Sequence, residues 1–428
     1  MKTLPNYNPA LQAAAGLTPM GDFPIAEAHD ILVDENGTRL DEKLSNISEP
    51  DLSGYAKTSD LSGYAKSKDL EKFDIISRIM ARNGTILGIT IGRPTLDSEI
   101  FYYAGFDFTG TEVVIPNVLP YHLVVQNFSN ADKLKSVYIG ASVEEISSAF
   151  NGCSALETVT FSDNSILTTM GNNAFRKTAI SSIELPNKLK TIGGGAFQEC
   201  ANLSSVVFGE DSSLETINEL AFYNCTHLSS IKIPNSLREI GVNAFNGCTL
   251  LSEVTVTDSS RLTSIGHDAF ANCTSLKRAR IPDSVTSIGE SAFYNCSSLM
   301  DSNIPSGITT IPKDMFAHCT SLLTVDTTKA SNLTSIGESA FENCGKFGSM
   351  RIPEKVREIG ARAFYLCESL DILVIPKSVT NIGDSAFFGC TNLRVIYYAG
   401  SESDWSRITV GANNGRLGVA EIIYNSTL

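Results

Sequence analysis

The sequence repeats itself over most of its length, and phenylalanine marks the repeat. Phe150, Phe175, Phe197, Phe222, Phe245, Phe270, Phe293, Phe316, Phe341, Phe364 and Phe387 follow one another at intervals of 22 to 25 residues. Ala precedes Phe in ten of the eleven copies and Met315 in the other; Cys follows three residues later in ten, and Thr178 takes that place once. A typical unit reads VTSIGESAFYNCSSLMDSNIP, residues 285–305. About eight of its side chains are inward candidates, too few to offset the entropy of ordering the unit alone. Units of this kind fold only by covering one another's faces, so the pattern predicts a solenoid.

Within each unit an apolar-x-apolar pair, such as Ile231 and Ile233, has strand period. One short strand per coil, stacked in parallel at about 4.8 Å, predicts a continuous sheet roughly 50–55 Å long. Units of 25 residues carry two extra residues just after the strand, as in FSDNSIL and VTDSSRL; most others have Pro there (Pro186, Pro234, Pro282, Pro305, Pro353, Pro376). Eight units carry Gly shortly before the Ala-Phe pair, Gly171 through Gly383, and Pro312 replaces it once. Pro excludes a requirement for positive φ, so close backbone approach between coils is the expected reason for Gly, with local distortion around Pro312.

The pattern IGxxAFxxCxxLxxIxIP resembles the BspA-like leucine-rich repeat family, first associated with Treponema surface proteins. The ending IYYAGSESDWSRITVGANNGRLGVAEIIYN resembles the C-terminal cap of that family, with Tyr397, Tyr398 and Trp405 over the last coil. The resemblance implies a right-handed solenoid with its parallel β-sheet on the concave face, used for adhesion and for binding proteins or glycans, rarely for catalysis. Outward positions on that face make Lys232, Lys277, Arg278, Arg280, Asp301, Asn303, Asp326 and Arg351 the candidate ligand-binding residues. The basic group at 277–280 could read an anionic or hydroxyl-rich partner. Cross-strand pairing on a solvated face is the competing reading.

The remaining residues point away from catalysis. A net charge of −14 argues against nucleic acid, which needs clustered Lys and Arg. The ten Cys lack the CxxC spacing of a metal site and read as reduced, buried and structural. Of the five His, His227, His267 and His318 fall at different places in their coils, sharing no column. No nucleophile elbow, zinc-protease or phosphate-loop motif occurs. No enzyme activity, cofactor or metal is expected. No run of eighteen apolar residues suggests membrane insertion, and the start MKTLPNYNPALQAAAGLTPM makes a poor secretory signal.

Ahead of the solenoid, DLSGYAKTS and DLSGYAKSK place Leu52, Leu61 and Leu70 at a nine-residue step. One apolar pair per nine residues cannot fill a monomeric core, but parallel chains could pool theirs. The stretch resembles linkers of bacteriophage tail-fibre and receptor-binding proteins. DLEKFDIISRIMARNG puts Leu70, Phe73, Ile76 and Met80 on one helical face that stops at Asn83-Gly84. The expected organisation is therefore an attachment region at 1–50, an extended and helical stalk at 51–84, a strand-bearing N-terminal cap at 85–133, the solenoid at 134–392 and a C-terminal cap at 393–428. The leading expectation is a virion protein, a trimeric fibre joined to other tail proteins through its N-terminus and presenting the solenoid to a host-surface protein or glycan. The alternative is a BspA-like adhesin on a bacterial or protist cell surface.

Overall fold

Residues 80–81, 85–86, 100–104, 111–115, 122–126 and 128–427 are described by a computed structural model. The chain divides into two compact units, Met1–Leu189 and Lys190–Leu428. The attachment region and the nine-residue repeats lie outside the described residues, as does the trimer expected from them. Where the sequence predicts the end of a helix, Met80–Ala81 instead pairs antiparallel with Thr85–Ile86. Asn83-Gly84, taken as a helix stop, is equally a hairpin signal. From residue 100 to Leu189, and again from Lys190 onward, each unit is a parallel β-solenoid built from the repeat.

Each coil carries two short strands, not one. The additional strand is the segment just before the Gly, exemplified by Ser264–Ile265 and Ser287–Ile288, which pair in parallel register. It is legible only as an isolated inward Ile, because two residues show no alternation. In the second unit this first ladder runs from Thr191–Ile192 through Glu239–Ile240 to Ser287–Ile288, then resumes from Thr310–Ile311 to Thr409–Val410. The interruption falls at Pro312. In neighbouring coils the Gly amide donates to the Ile carbonyl one coil back: Gly289 to Ile265 and Gly337 to Ile311, both at 2.8 Å. Pro312 has no N–H to make that bond. The phenylalanine stack opens at the same coil, with ring centroids 5.8 Å apart for Phe293 and Phe316 against 5.1–5.3 Å for most pairs.

The expected strand pairs form the second ladder, and it is not continuous. In the first unit it runs through Glu112–Val114, Ser136–Ile139 and Thr158–Phe161, and starts afresh at Ser182–Leu185. In the second unit, Ser230–Lys232 pairs with Glu253–Thr255; Arg278–Ala279, Asp301–Asn303 and Thr324–Asp326 form a second segment; Ser349–Arg351 through Glu421–Ile423 form a third. Each break among these follows a 25-residue coil, whose extra residues come directly after the strand. Across one break the Thr327 hydroxyl donates to the Arg351 carbonyl at 2.9 Å in place of a ladder amide. Coils with Pro instead of the insertion keep the ladder whole; the Pro carbonyl starts a turn, as where Val285 N–H donates to Pro282 at 3.1 Å.

The third side of the coil holds the Ala-Phe-x-x-Cys segment. The residue before Ala and the residue before Cys are left-handed in coil after coil, for example Asp268 (φ 53°) and Asn272 (φ 59°). Asn tolerates this at little cost; Leu220, Leu366 and Arg362 adopt it at roughly 1 kcal/mol or more each. Alternate amides then point the same way, toward the next coil: Asp268 to Glu290, Phe270 to Ala292 and Asn272 to Tyr294, at 2.8–3.0 Å. The phenylalanines stand fully inside and stack face to face. Phe128 begins the stack in the first unit, 5.2 Å from Phe150. Without the preceding Ala and following Cys it escapes the sequence pattern.

All ten cysteines are free and buried. The thiols are donors as well as fillers. Cys225, Cys248, Cys273, Cys296, Cys319, Cys344, Cys367 and Cys390 each donate to the phenylalanine carbonyl of the preceding coil at 3.1–3.3 Å. Burial pushes the Cys248 and Cys296 thiols up to about 12. The glycines serve close approach. A Cβ on Gly289 would lie 2.3 Å from the His267 nitrogen, and one on Gly266 2.6 Å from Gly241 and Val242 backbone. Their φ values are not positive.

At the end of the second unit, Tyr398 is buried against Trp405 at 5.1 Å, while Tyr397 faces outward, half-exposed. Two forward-pointing amides of the last coil find acceptors in the terminal segment: Ser385 donates to the Ala412 carbonyl, and Phe387 to the buried Asn414 Oδ1 at 2.9 Å.

Two outcomes follow from this packing. Gly289→Ala lowers unfolding free energy by about 1–3 kcal/mol in urea melts, because backbone must move to admit the methyl; Gly345→Ala, with nothing within 4 Å of its Cβ, changes it little. The folded thiols hold their protons more tightly than unfolded ones. Their contribution is therefore intact below about pH 9 and is lost as pH rises toward 12, at about 1.4 kcal/mol per thiol per pH unit. Stability measured from pH 8 to 11 should fall accordingly, and a maleimide should label the native chain only as fast as it unfolds.

Candidate functional site

The outward side of the second ladder in the second unit holds the candidate residues. Inward positions along it are filled by Ile231, Val254, Ala279, Ser302, Val325 and Met350. The alternation that buries these, Val254 only in part, turns Lys232, Arg278, Arg280, Asp326 and Arg351 to solvent, with Asp301 and Asn303 half-exposed. Register places Arg278 opposite Asp301, and Asn303 opposite Asp326. Lys277 is exposed immediately before Arg278. Lys232 lies on a separate ladder segment, where it faces Thr255.

Most of these charges are paired. Arg278 Nε lies 3.6 Å from Asp301, and Arg280 Nη2 donates to Asp258 at 2.8 Å. Lys329 reaches Asp283 at 2.6 Å, and Arg351 Nη2 lies 3.4 Å from Glu354. All these side chains are well exposed, so each pair contributes little to stability and remains open to exchange for a ligand. Asp326 accepts from the Thr328 amide and hydroxyl at 2.9 and 2.7 Å, which holds its carboxyl below the usual range. That carboxylate closes the turn of the insertion.

Asn303 also has a structural task. Its amide accepts from the Ile281 N–H at 2.9 Å and donates to the Ile281 carbonyl at 2.8 Å, standing in for a ladder pair where Arg278–Ala279 ends early. Sequence alone places Asn303 correctly on the face but misses this bond, because nothing in its spacing marks the backbone it serves. The basic cluster and its acidic neighbours are thus brought together at 278–303, while Lys232 and Arg351 stand on other segments.

Behind Arg278 and Arg280 the inward column narrows to Ala279 and Ser302. The Ser302 hydroxyl donates to the Ala279 carbonyl at 2.9 Å, which satisfies a buried polar group. The missing side-chain volume leaves a small apolar cavity against Val254, Leu276, Ile281 and Phe270. It is lined by aliphatic and aromatic carbon and makes no polar binding site. The three histidines of the second unit stay separate: His227 bonds the Ala201 carbonyl, His267 the Glu290 carbonyl, and His318 the Asn343 amide.

The sequence model described as BspA-type leucine-rich repeat region matches residues 123–252, 215–331 and 326–409, more than half of the chain. No curated protein matches the sequence significantly. Among solved structures, a leucine-rich repeat protein from Bacteroides ovatus is similar at 27% identity and TM-score 0.56, covering 82% of this chain and 99% of that one. The pneumococcal vaccine antigen PcpA is similar at 17% identity and TM-score 0.47, over 82% and 99% of the two chains. A leucine-rich cell surface protein from Faecalibacterium prausnitzii is similar at 27% identity and TM-score 0.37, over 74% and 94%.

Filling the cavity tests its origin. Ala279→Val should raise unfolding free energy by about 1 kcal/mol in urea titration, since the added methyls enter existing apolar space; a loss of stability would show that the cavity closes in solution.

Proposed function

The chain belongs to the BspA-type leucine-rich repeat family, and we propose that it works as a bacterial cell-surface protein that binds a protein or glycan partner without catalysis. The observation carrying this reading is the outward side of the second ladder. It is an open, exposed wall of exchangeable charges at Arg278, Arg280 and Asp301, with solvent above it and a repeat core behind. Such a surface suits a broad partner, whose own charges replace the intramolecular pairs. A rigid array also presents these groups with little ordering cost on binding.

Family membership favours the cell surface over the virion. The fibre reading depends on residues 51–70, which lie outside the described residues, and the matching family covers only the solenoid.

The test is attachment of the fluorescently labelled full chain to intact epithelial cells, read by flow cytometry. Arg278→Glu with Arg280→Glu should cut bound label at least tenfold while leaving the thermal melt in place, and should flatten the salt dependence of binding. Undiminished attachment of the double variant would place the contact elsewhere on the molecule.

A further inference from the structure

The third side of the second unit, away from the ladder just described, carries a second constellation. Immediately before each Cys, successive coils place Asn272, Asn295, His318 and Asn343 in a row. Their planar groups are joined edge to edge in two runs, with no bond between Asn295 and His318. Asn272 Nδ2 donates to Asn246 Oδ1 at 2.9 Å, Asn295 Nδ2 to Asn272 Oδ1 at 2.9 Å, and Asn343 Nδ2 lies 3.1 Å from His318 Nδ1. An amide nitrogen can only donate, so His318 Nδ1 accepts and its proton sits on Nε2. The bonds fix each plane and leave Asn295 Oδ1, His318 Nε2–H and Asn343 Oδ1 without a partner among the described residues.

Beside this row runs one of aromatic rings. Tyr294 meets His318 edge-on at 5.2 Å. Three coils on, Tyr365 is covered on one face by the Arg362 guanidinium, 3.9 Å from the ring centre, and stacks on Phe388 at 5.2 Å. Phe388 is 46% exposed, unusual for a ring of its size. Between the two ends the column drops to the buried Ala317, and Glu342 follows. Glu342 is held by Arg362 Nε at 3.0 Å and by the Ser339 hydroxyl at 2.7 Å, so the pair offers fixed polar edges and no net charge.

An exposed ring at one end and a half-exposed ring at the other, with immobilised neutral donors and acceptors between, match the chemistry of a sugar chain, whose C–H faces lie on aromatic rings and whose hydroxyls both donate and accept. We propose that this strip binds a neutral oligosaccharide laid along the coils, its ends on Tyr294 and Phe388 and its hydroxyls on His318 and Asn343. Lys313 pairs with Glu338 at 3.1 Å, and the neighbouring Asp314 carboxylate leaves the intervening coils net acidic, which disfavours an acidic glycan. The strip stands independently of the Arg278–Arg280 face.

Saturation-transfer NMR on the full chain, with maltopentaose, cellopentaose, pentaacetylchitopentaose and pentagalacturonate as probes, tests this. At least one neutral pentasaccharide should bind saturably. Tyr294→Ala with Phe388→Ala should weaken it at least tenfold, with an unchanged circular-dichroism spectrum; Arg278→Glu with Arg280→Glu should leave it unaltered. The proposal is overturned if no neutral probe binds, if the aromatic double variant binds as the parent does, or if pentagalacturonate binds more tightly than every neutral sugar. Loss of sugar binding in the Arg variant would likewise overturn it and return the ligand to the ladder face.

Discussion

The alternation of left-handed and right-handed residues ahead of Ala and ahead of Cys is the constraint on which each solenoid unit depends. It turns alternate amides of one coil toward the carbonyls of the next, and so replaces a third β-strand on the side that must also bend tightly enough to bring Phe inside. With the backbone satisfied there, the phenylalanines can stack at the coil spacing, and each thiol can reach a carbonyl that a turn amide also uses. Glycine on the adjoining corner then follows from the same spacing, since coils this close leave no room for a Cβ between them.

That constraint also explains how the array tolerates irregular coils. An extra pair of residues after the second strand interrupts that ladder but leaves the third side intact: Phe316 still donates to Ala340 at 2.9 Å across a 25-residue coil. Pro312 interrupts the first ladder, and Asp314 still donates to Glu338 at 3.0 Å. The two ladders are therefore expendable one at a time. Surface loops and charges can change from coil to coil without cost to the stack, which frees both the Arg278–Asp301 face and the Tyr294–Phe388 strip to vary.

The inward residues, the repeat length and the glycine contacts were legible in the sequence because they recur, and recurrence is what burial and backbone contact impose. Less was legible where one side chain serves several roles. Asn before Cys reads only as a repeat consensus, and the φ angle of Asn272 shows why Asn stands there. The two-residue strand at Ser264–Ile265 has no periodicity to detect. Asn414 looks like any residue of a polar tail, yet its amide oxygen accepts the buried Phe387 N–H of the last coil. On the candidate face the exposed residues could be listed from period alone, but Arg280 pairing with Asp258, 22 positions back, depends on an insertion whose path the spacing does not give.

The forward-pointing amides of the third side have an electrical consequence. Bonds that all run one way add their dipoles, as they do along a helix, whereas those of the ladders alternate and largely cancel. The third-side amides therefore contribute a dipole along the second unit with its positive end toward Asn414, partly opposed by the thiols that donate the other way. Oxygen atoms of Asn414 and Asp384 meet the amides of Phe387 and Ala412 at that pole. Added coils lengthen the array but leave the partial charge at each tip unchanged, so the number of repeats sets reach while the terminal coil sets the field.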